Sequence, residues 1–316
     1  MSALVAHTAQ SFSLANAEAL VLDPVHANRQ ASRSALSAAG FGRVIAQADL
    51  DSFSLAWSNE PFDLLLADVT ENSERIFELV RSIRDGKIGR NPFVHIVLTA
   101  WRLEGELIKA ALNSGADDMM ARPFSADVVK SRVRTLAEAR KAFVVTADYV
   151  GPDRRRDPPR SSPHLMQVPN VLLARATGAA KAGAAALEDV KQVQKRVEAE
   201  RMRRGAFKIA CSLELLKAAQ QASEAVDREL ASVEAAAKDV ERRVTATPLK
   251  VAQKAIADLR AEVEKARGGA DAAAALAAIE GYSWTLLETV YPSRDKEELR
   301  QEVLSTVATI RSRERK

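Results

Sequence analysis

Short apolar runs alternate with amphipathic stretches over the first half of the chain. Ala19-Leu20-Val21-Leu22-Asp23, Arg43-Val44-Ile45-Ala46, Asp63 to Asp68, Phe93 to Thr99 and Asp118 to Ala121 are brief and rich in Leu, Val and Ile. Runs of that length and composition predict five strands. Between them lie helical periods. One runs from about Val25 to Ala39 and ends at Gly40, and a short one covers Leu50 to Trp57. A third carries Ile76, Leu79, Val80 and Ile83; Leu103 to Asn113 is stopped by Gly115, and a last one runs to about Lys141. Ser73 and Ser125 read as N-caps of the third and fifth helices, with Glu74 in the first turn of the third. Apolar strands separated by helices predict a doubly wound, five-stranded parallel sheet covered on both faces.

From about Val171 the chain becomes rich in Ala, Glu, Lys and Arg, and the apolar positions fall three and four apart. Ala186, Val190, Val193 and Val197 share one helical face, and Gly205 is a point where the helix could break or bend. Leu216, Ala219, Ser223, Val226, Leu230, Val233, Ala237, Val240 and Val244 read as one long heptad seam. After Thr247-Pro248, Leu249, Ala252, Ile256, Leu259, Val263 and Ala266 form a further stripe, stopped at Gly268-Gly269. Two more helices follow, one with Leu276, Ile279, Trp284 and Leu287 and one with Leu299, Val303, Val307 and Ile310. Asp295 with Glu298 is a capping signal for the last. These stripes predict an all-α bundle or coiled-coil domain, packed within the chain or joining two copies as a homodimer. The resulting layout is an extension (1–16), an α/β domain (17–145), a Pro- and Arg-rich linker (146–170) and an α-helical output domain (171–316).

Composition narrows the chemistry. The 46 Lys and Arg residues nearly balance 42 Asp and Glu, for a net charge of +4, which does not point to nucleic acid by itself. Arg201, Arg203, Arg204 and Lys208 cluster, but without interleaved aromatics or a helix-turn-helix pattern they read as a solvated face. A lone Cys211 excludes an internal disulfide framework and a Cys-rich zinc site, and fits a cytoplasmic location. The N-terminus lacks the basic and apolar regions of a signal peptide, and no apolar stretch is long enough to span a bilayer. His7, His26, His95 and His164 are isolated, and none follows His164, which excludes histidine phosphotransfer by the helices. With no Walker loop, nucleophile elbow or paired catalytic carboxylates, no enzyme activity is expected. Tyr282, Trp284 and Tyr291 read equally as core or as partner surface.

Candidate chemistry concentrates on Asp68, a carboxylate closing an apolar strand. In open α/β sheets the ligand crevice lies at the carboxyl ends of the strands. The runs DLLLADV, HIVLTA and SGADDMMARPF resemble the receiver domain of bacterial response regulators, over roughly residues 17 to 141. The resemblance implies that Asp68 is the phospho-acceptor, that Thr99 and Arg122 contact the phosphoryl group, and that Asp23, Asp68 and the Thr70 carbonyl hold Mg²⁺. It also implies a role in two-component (phosphorelay) signal transduction.

The chain departs from that pattern. Pro24 stands where receivers carry a second acid, which weakens any Mg²⁺ site. Arg122 stands in place of lysine, and a planar guanidinium is not interchangeable with an ammonium. Met119 replaces the aromatic switch residue. Two readings of the site therefore stand: phosphorylation on Asp68, or a pseudo-receiver in which Arg122 pairs with Asp68 directly. Asp23-Pro24 also has a plain reading as N-cap and first residue of a helix.

Output is expected through protein–protein contacts of the helices, with a sensor kinase or another signalling protein as partner. Two alternatives are open. Arg154, Arg155, Arg156 and Arg160 in the linker could hold a phosphate-bearing ligand such as a cyclic dinucleotide second messenger, and the helices could serve as a coiled-coil scaffold.

Overall fold

The computed structural model describes residues 12–155, 165–178, 180–221, 227–245, 247–267 and 272–314. The chain divides into two compact units, one of Met1–Val145 with Tyr149–Lys195 and one of Thr146–Asp148 with Arg196–Lys316.

The first unit is an α/β sandwich. Its strands are β1 (Glu18–Leu22), β2 (Arg43–Gln47), β3 (Leu64–Asp68), β4 (His95–Ala100) and β5 (Asp118–Ala121). They form one parallel sheet in the order β2-β1-β3-β4-β5. Alternation sorts the side chains. Leu20, Leu22, Leu65, Ala67, Ile96 and Leu98 face one layer, with Phe53, Trp57, Ile76, Phe77 and Ala111. Those partners come from α2 (Leu50–Asn59), α3 (Ser73–Arg84) and α4 (Gly105–Asn113). Ala19, Val21, Leu64, Leu66 and Val97 face the other layer, with Leu36, Val129, Val133 and Ala137. These belong to α1 (His26–Ala38) and α5 (Ala126–Glu138). Two-sided burial is why the strands read as unbroken apolar runs.

Caps differ in detail from expectation. Ser125 caps α5, accepting from the Val128 N–H. Ser73 is the first residue of α3 rather than its cap; Asn72 precedes it and makes no side-chain cap bond. Asp23-Pro24 does not start α1 either. The helix begins at His26 after Val25, which leaves Asp23 free for other partners.

The stretch read as an open linker carries regular structure. β6 (Phe143–Val145), β7 (Val150–Pro152) and β8 (Leu165–Met166) form a small antiparallel sheet in the order β7-β6-β8. Pro152 is tolerated because β7 is an edge strand, where a missing N–H breaks no ladder. A short α6 (Val171–Thr177) then places Leu172 and Ala176 in the α1/α5 layer, and its Arg175 lies 2.9 Å from buried Asp63. Burial pushes the Asp63 carboxyl up to about 6 against the opposing pull of the Glu18 N–H and Arg175.

A buried polar cluster joins these parts. Arg84, on the inner face of α3, donates to the carbonyls of Pro92, Val94 and Gly115 and to Asp117. Its guanidinium lies over the Phe143 ring at 5.2 Å, and that of Arg140 lies 5.1 Å from the same ring. Gly115 is held at φ +102°, and a Cβ there would meet Arg84 and the Val150 carbonyl. A side chain would be strained and crowded at that position.

Apart from Thr146–Asp148 and its connecting turns, the second unit is built of helices. α7 (Ala180–Gln221) contains the division between the units, so the boundary lies within a helix rather than in the linker. It is followed by α8 (Asp227–Val244), α9 (Lys250–Arg267), α10 (Ala272–Val290) and α11 (Lys296–Glu314). The expected single seam from Leu216 to Val244 is divided between two helices. Leu216 on α7 and Leu230, Val233, Ala237, Val240 and Val244 on α8 are buried in one common core; Ser223 and Val226 lie outside the described residues. Gly205 lies against Val240, and Ser212 bonds Ser232, a pairing that runs antiparallel. Gly205 does not interrupt α7. Its missing side chain lets α8 approach, since a Cβ there would sit 2.4 Å from Val240. The stripe that suggested pairing between copies is thus buried inside the chain. No helix among the described residues is long and apolar enough to cross a membrane.

His95, at the start of β4, is buried beside Arg140 and Arg84 and faces Asp117. Desolvation first, and the Arg140 charge second, hold its ring down to about 3. The unfolded chain would take up this proton near pH 6.5, so stability falls as pH drops from 6.5 toward 3. The slope due to this ring is at most about 1.4 kcal/mol per pH unit. Urea unfolding of His95→Gln should show a flatter dependence than the native chain between pH 6.5 and 4. Equal slopes would mean His95 is not neutral in the fold.

Candidate functional site

The parallel register brings four strand ends to one level. Leu22 of β1 pairs with Ala67 of β3, which sets the next residues, Asp23 and Asp68, side by side. Asp68 pairs with Thr99 of β4, and Ala100 pairs with Ala121 of β5, just before Arg122. This is also where the strand order reverses between β1 and β3, the usual ligand position in such sheets.

All four side chains are buried, and they meet. Arg122 Nε donates to Asp68 Oδ2 at 2.8 Å, and Nη2 donates to Asp23 Oδ2 at 2.6 Å. Thr99 Oγ1 donates to the same Asp68 oxygen at 3.1 Å. Asp68 Oδ1 accepts from the Thr70 N–H, and Asp23 Oδ1 accepts from the Val25 N–H, each at 2.9 Å. Arg29 bonds the Asp23 carbonyl at 2.7 Å. The guanidinium of Arg122 lies over the Phe124 ring at 5.2 Å, and its peptide bond to Pro123 is cis. Two carboxylates therefore share one buried cation. Burial raises the Asp23 carboxyl above its ordinary value, Arg122 and the Val25 N–H oppose the rise, and neighbouring Asp68 adds to it.

The structure thus brings Asp23, Asp68, Thr99 and Arg122 together. It does not arrange them for Mg²⁺. That ion needs near-octahedral oxygen ligands at about 2.0–2.1 Å. Every carboxylate oxygen of Asp23 and Asp68 already accepts a hydrogen bond, and the guanidinium lies between the two groups. Thr70 contributes its N–H to Asp68. Pro24, where a further acid would serve, instead lines a cavity of about 210 Å³ beside Asp68. Among the described residues no group of three His, Cys, Asp or Glu gathers as a metal site.

The linker arginines are engaged within the protein. Arg154 donates to the carbonyls of Ala116 and Asp117, and Arg155 pairs with Asp153 at 3.0 Å. These contacts take Nη1 and Nη2 of Arg154 and Nε and Nη2 of Arg155; Arg156 and Arg160 lie outside the described residues. The basic cluster on α7 is likewise paired, Arg203 and Arg204 with Glu200 and Lys208 with Asp148. Tyr282, Trp284 and Tyr291 pack partly buried against the helical core, and Arg300 lies over the Trp284 ring. Sequence reasoning missed the Arg84–Asp117 cluster. Its signal was present, because Arg84 follows Val80 by four and so falls on the apolar stripe of α3.

No protein-family model matches the sequence, and no curated protein is detectably similar to it. Solved structures give partial likenesses. One is a response regulator from Thermotoga maritima, 26% identical with a TM-score of 0.33, covering 38% of this chain and 97% of that one. A second is the chemotaxis protein CheY4 of Vibrio cholerae, 22% identical with a TM-score of 0.34, covering 37% and 96%. A third is the response regulator DrrB of Thermotoga maritima, 22% identical with a TM-score of 0.34, covering 40% and 54%. At these scores the likeness carries no weight of its own, and the fold stands on the strand order described above.

Removing Arg122 would leave Asp23 and Asp68 buried side by side without a counter-charge. Breaking a buried pair from one side costs about 3–5 kcal/mol. Arg122→Met should lose that much stability in urea unfolding at pH 7. Adding Asp23→Asn should recover part of the loss, although Asp23→Asn alone destabilises the native chain. An Arg122→Met variant as stable as the native chain would show that the bridge contributes nothing.

Proposed function

We propose that this chain is a signalling protein of the two-component kind. Its α/β unit is a pseudo-receiver, held in one state by ion pairs rather than switched by phosphate. Its helical unit gives the output by binding other proteins, without turnover of a substrate. One observation carries the reading: Asp68, at the carboxyl end of β3, meets Thr99 and Arg122 from the ends of β4 and β5. That is the constellation a receiver uses around its acceptor, yet here the cation is already bonded to the carboxylate. A phosphoryl group on Asp68 would have to disturb a carboxylate whose two oxygens already accept charge-assisted or backbone hydrogen bonds, while Arg122 is also held by Asp23. The second-messenger alternative loses support, because Arg154 and Arg155 are bonded within the protein.

The test is intact mass after incubation with acetyl phosphate and Mg²⁺, with Asp68→Asn as control. No added phosphate is expected on either protein in promptly quenched samples. A phosphate on the native chain that the control lacks would overturn the pseudo-receiver and make Asp68 a working acceptor.

The output assignment is tested separately, by a photo-crosslinking residue at exposed Val251 of α9 or Leu304 of α11. In the cells that make the protein, these should capture a sensor kinase or another two-component protein. Capture of none of that class from either position would sink the assignment.

A further inference from the structure

We infer that Arg122 is the resident cation of this site, taking by charge and position the place that a divalent metal would need. The inference deepens the pseudo-receiver reading and rests on it, but it concerns the cause of the locked state.

Two nitrogens of one guanidinium, Nε and Nη2, reach the inner oxygens of Asp68 and Asp23. The bonds leave from two separate nitrogens of one rigid plane, whereas an ammonium would have to reach both oxygens from a single atom. A lysine ammonium at this position is a point charge on a flexible stem and does not reproduce the fork. The outer oxygens are capped by the Val25 and Thr70 N–H groups. A divalent ion would have to break at least two of these bonds and sit beside a fixed positive charge in a buried site, where repulsion is weakly screened. The Phe124 ring under the guanidinium helps hold it in place.

The second element is Pro24. It shares with Asp68 the wall of the cavity of about 210 Å³. Liquid water occupies about 30 Å³ per molecule, so the cavity has room for an ion with several waters. Asp49, Asp51 and Glu71 also line this space, but among the described residues no group of three His, Cys, Asp or Glu gathers as a metal site. A carboxylate at position 24 would face the same cavity as Asp68. Arg122 and Pro24 therefore act together, one bonding both acids and the other withholding a carboxylate next to Asp23.

Mn²⁺ binding, followed by loss of the free-ion signal in electron paramagnetic resonance, tests this directly. The native chain should leave the signal unchanged at millimolar protein. Pro24→Asp with Arg122→Lys should bind Mn²⁺ at least about tenfold more tightly than the native chain, and a further Asp68→Asn should abolish the gain. Because two changes at a buried site endanger the fold, Arg122→Gln alone is the second variant. It removes the charge, keeps a hydrogen-bonding side chain, and should bind Mn²⁺ weakly but in an Asp68-dependent way. Asp68-dependent binding by the native chain would overturn the inference, as would a folded variant, by circular dichroism, that gains none. Phosphate uptake by the native chain is a different result, one that sinks the pseudo-receiver reading through mass rather than metal.

Discussion

One guanidinium between two buried carboxylates sets the terms for the α/β unit. The parallel register leaves little choice, since β1, β3, β4 and β5 end at one level and Asp23, Asp68, Thr99 and Arg122 lie at or just beyond those ends. Two of those residues are acids. Buried acids without partners are costly, so the site needs a cation from the chain, from a ligand or from solvent. Arg122 supplies it from the chain. On the proposed pseudo-receiver reading, the result differs from a switch in kind. A switch needs two arrangements close in free energy, biased by something that comes and goes. Here the neutralising group belongs to the chain itself and is bonded to both acids, so no diffusing ion or ligand is needed to balance them.

A second arginine acts by the opposite logic at the other end of the sheet. Arg84 satisfies three backbone carbonyls and Asp117 around the entries to β4 and β5. Buried carbonyls of irregular segments must be bonded, and a long, many-donor side chain can serve several at once. Through the Phe143 ring, flanked by Arg84 and Arg140, the same cluster ties the small β6–β7–β8 sheet to the main one. The segment after α5 is therefore part of the α/β unit. Its arginines secure structure, and Arg154 extends the cluster to the carbonyls of Ala116 and Asp117.

The alternation of strands and helices was legible because burial on both faces writes unbroken apolar runs, and β5 falls where its four residues predicted. Asp68, Thr99 and Arg122 were legible as a group because each closes or follows such a run. Less could be read where partners are distant in sequence. Nothing near Asp23 reveals that its partner is Arg122, ninety-nine residues away. Asp23-Pro24 matched a local capping rule equally well, and tertiary pairing decided between them. The small sheet was missed for a related reason: strands of two or three residues carry no period, and the Pro and Arg content around them argued for an open chain.

The helical half shows how a periodic signal can mark the buried face without marking where one helix ends and the next begins. A spacing of three and four says only that one face is apolar, and that face is satisfied equally by a second copy or by the next helix of the same chain. The five residues from Leu230 to Val244 that pointed to a seam meet α7 of their own chain instead. Gly205 decides the geometry, because removing a side chain at one point lets α8 come close enough for Val240 to fill the gap. With its apolar stripes turned inward, the unit presents mostly charged helix faces on which Val251 and Leu304 are exposed apolar positions. If the unit docks other proteins as proposed, recognition would rest on charge pattern and a few apolar anchors rather than on a broad hydrophobic stripe. Anchors of that kind contribute most when polar contacts around them exclude water, so a partner should present a matching charge pattern around an apolar pocket.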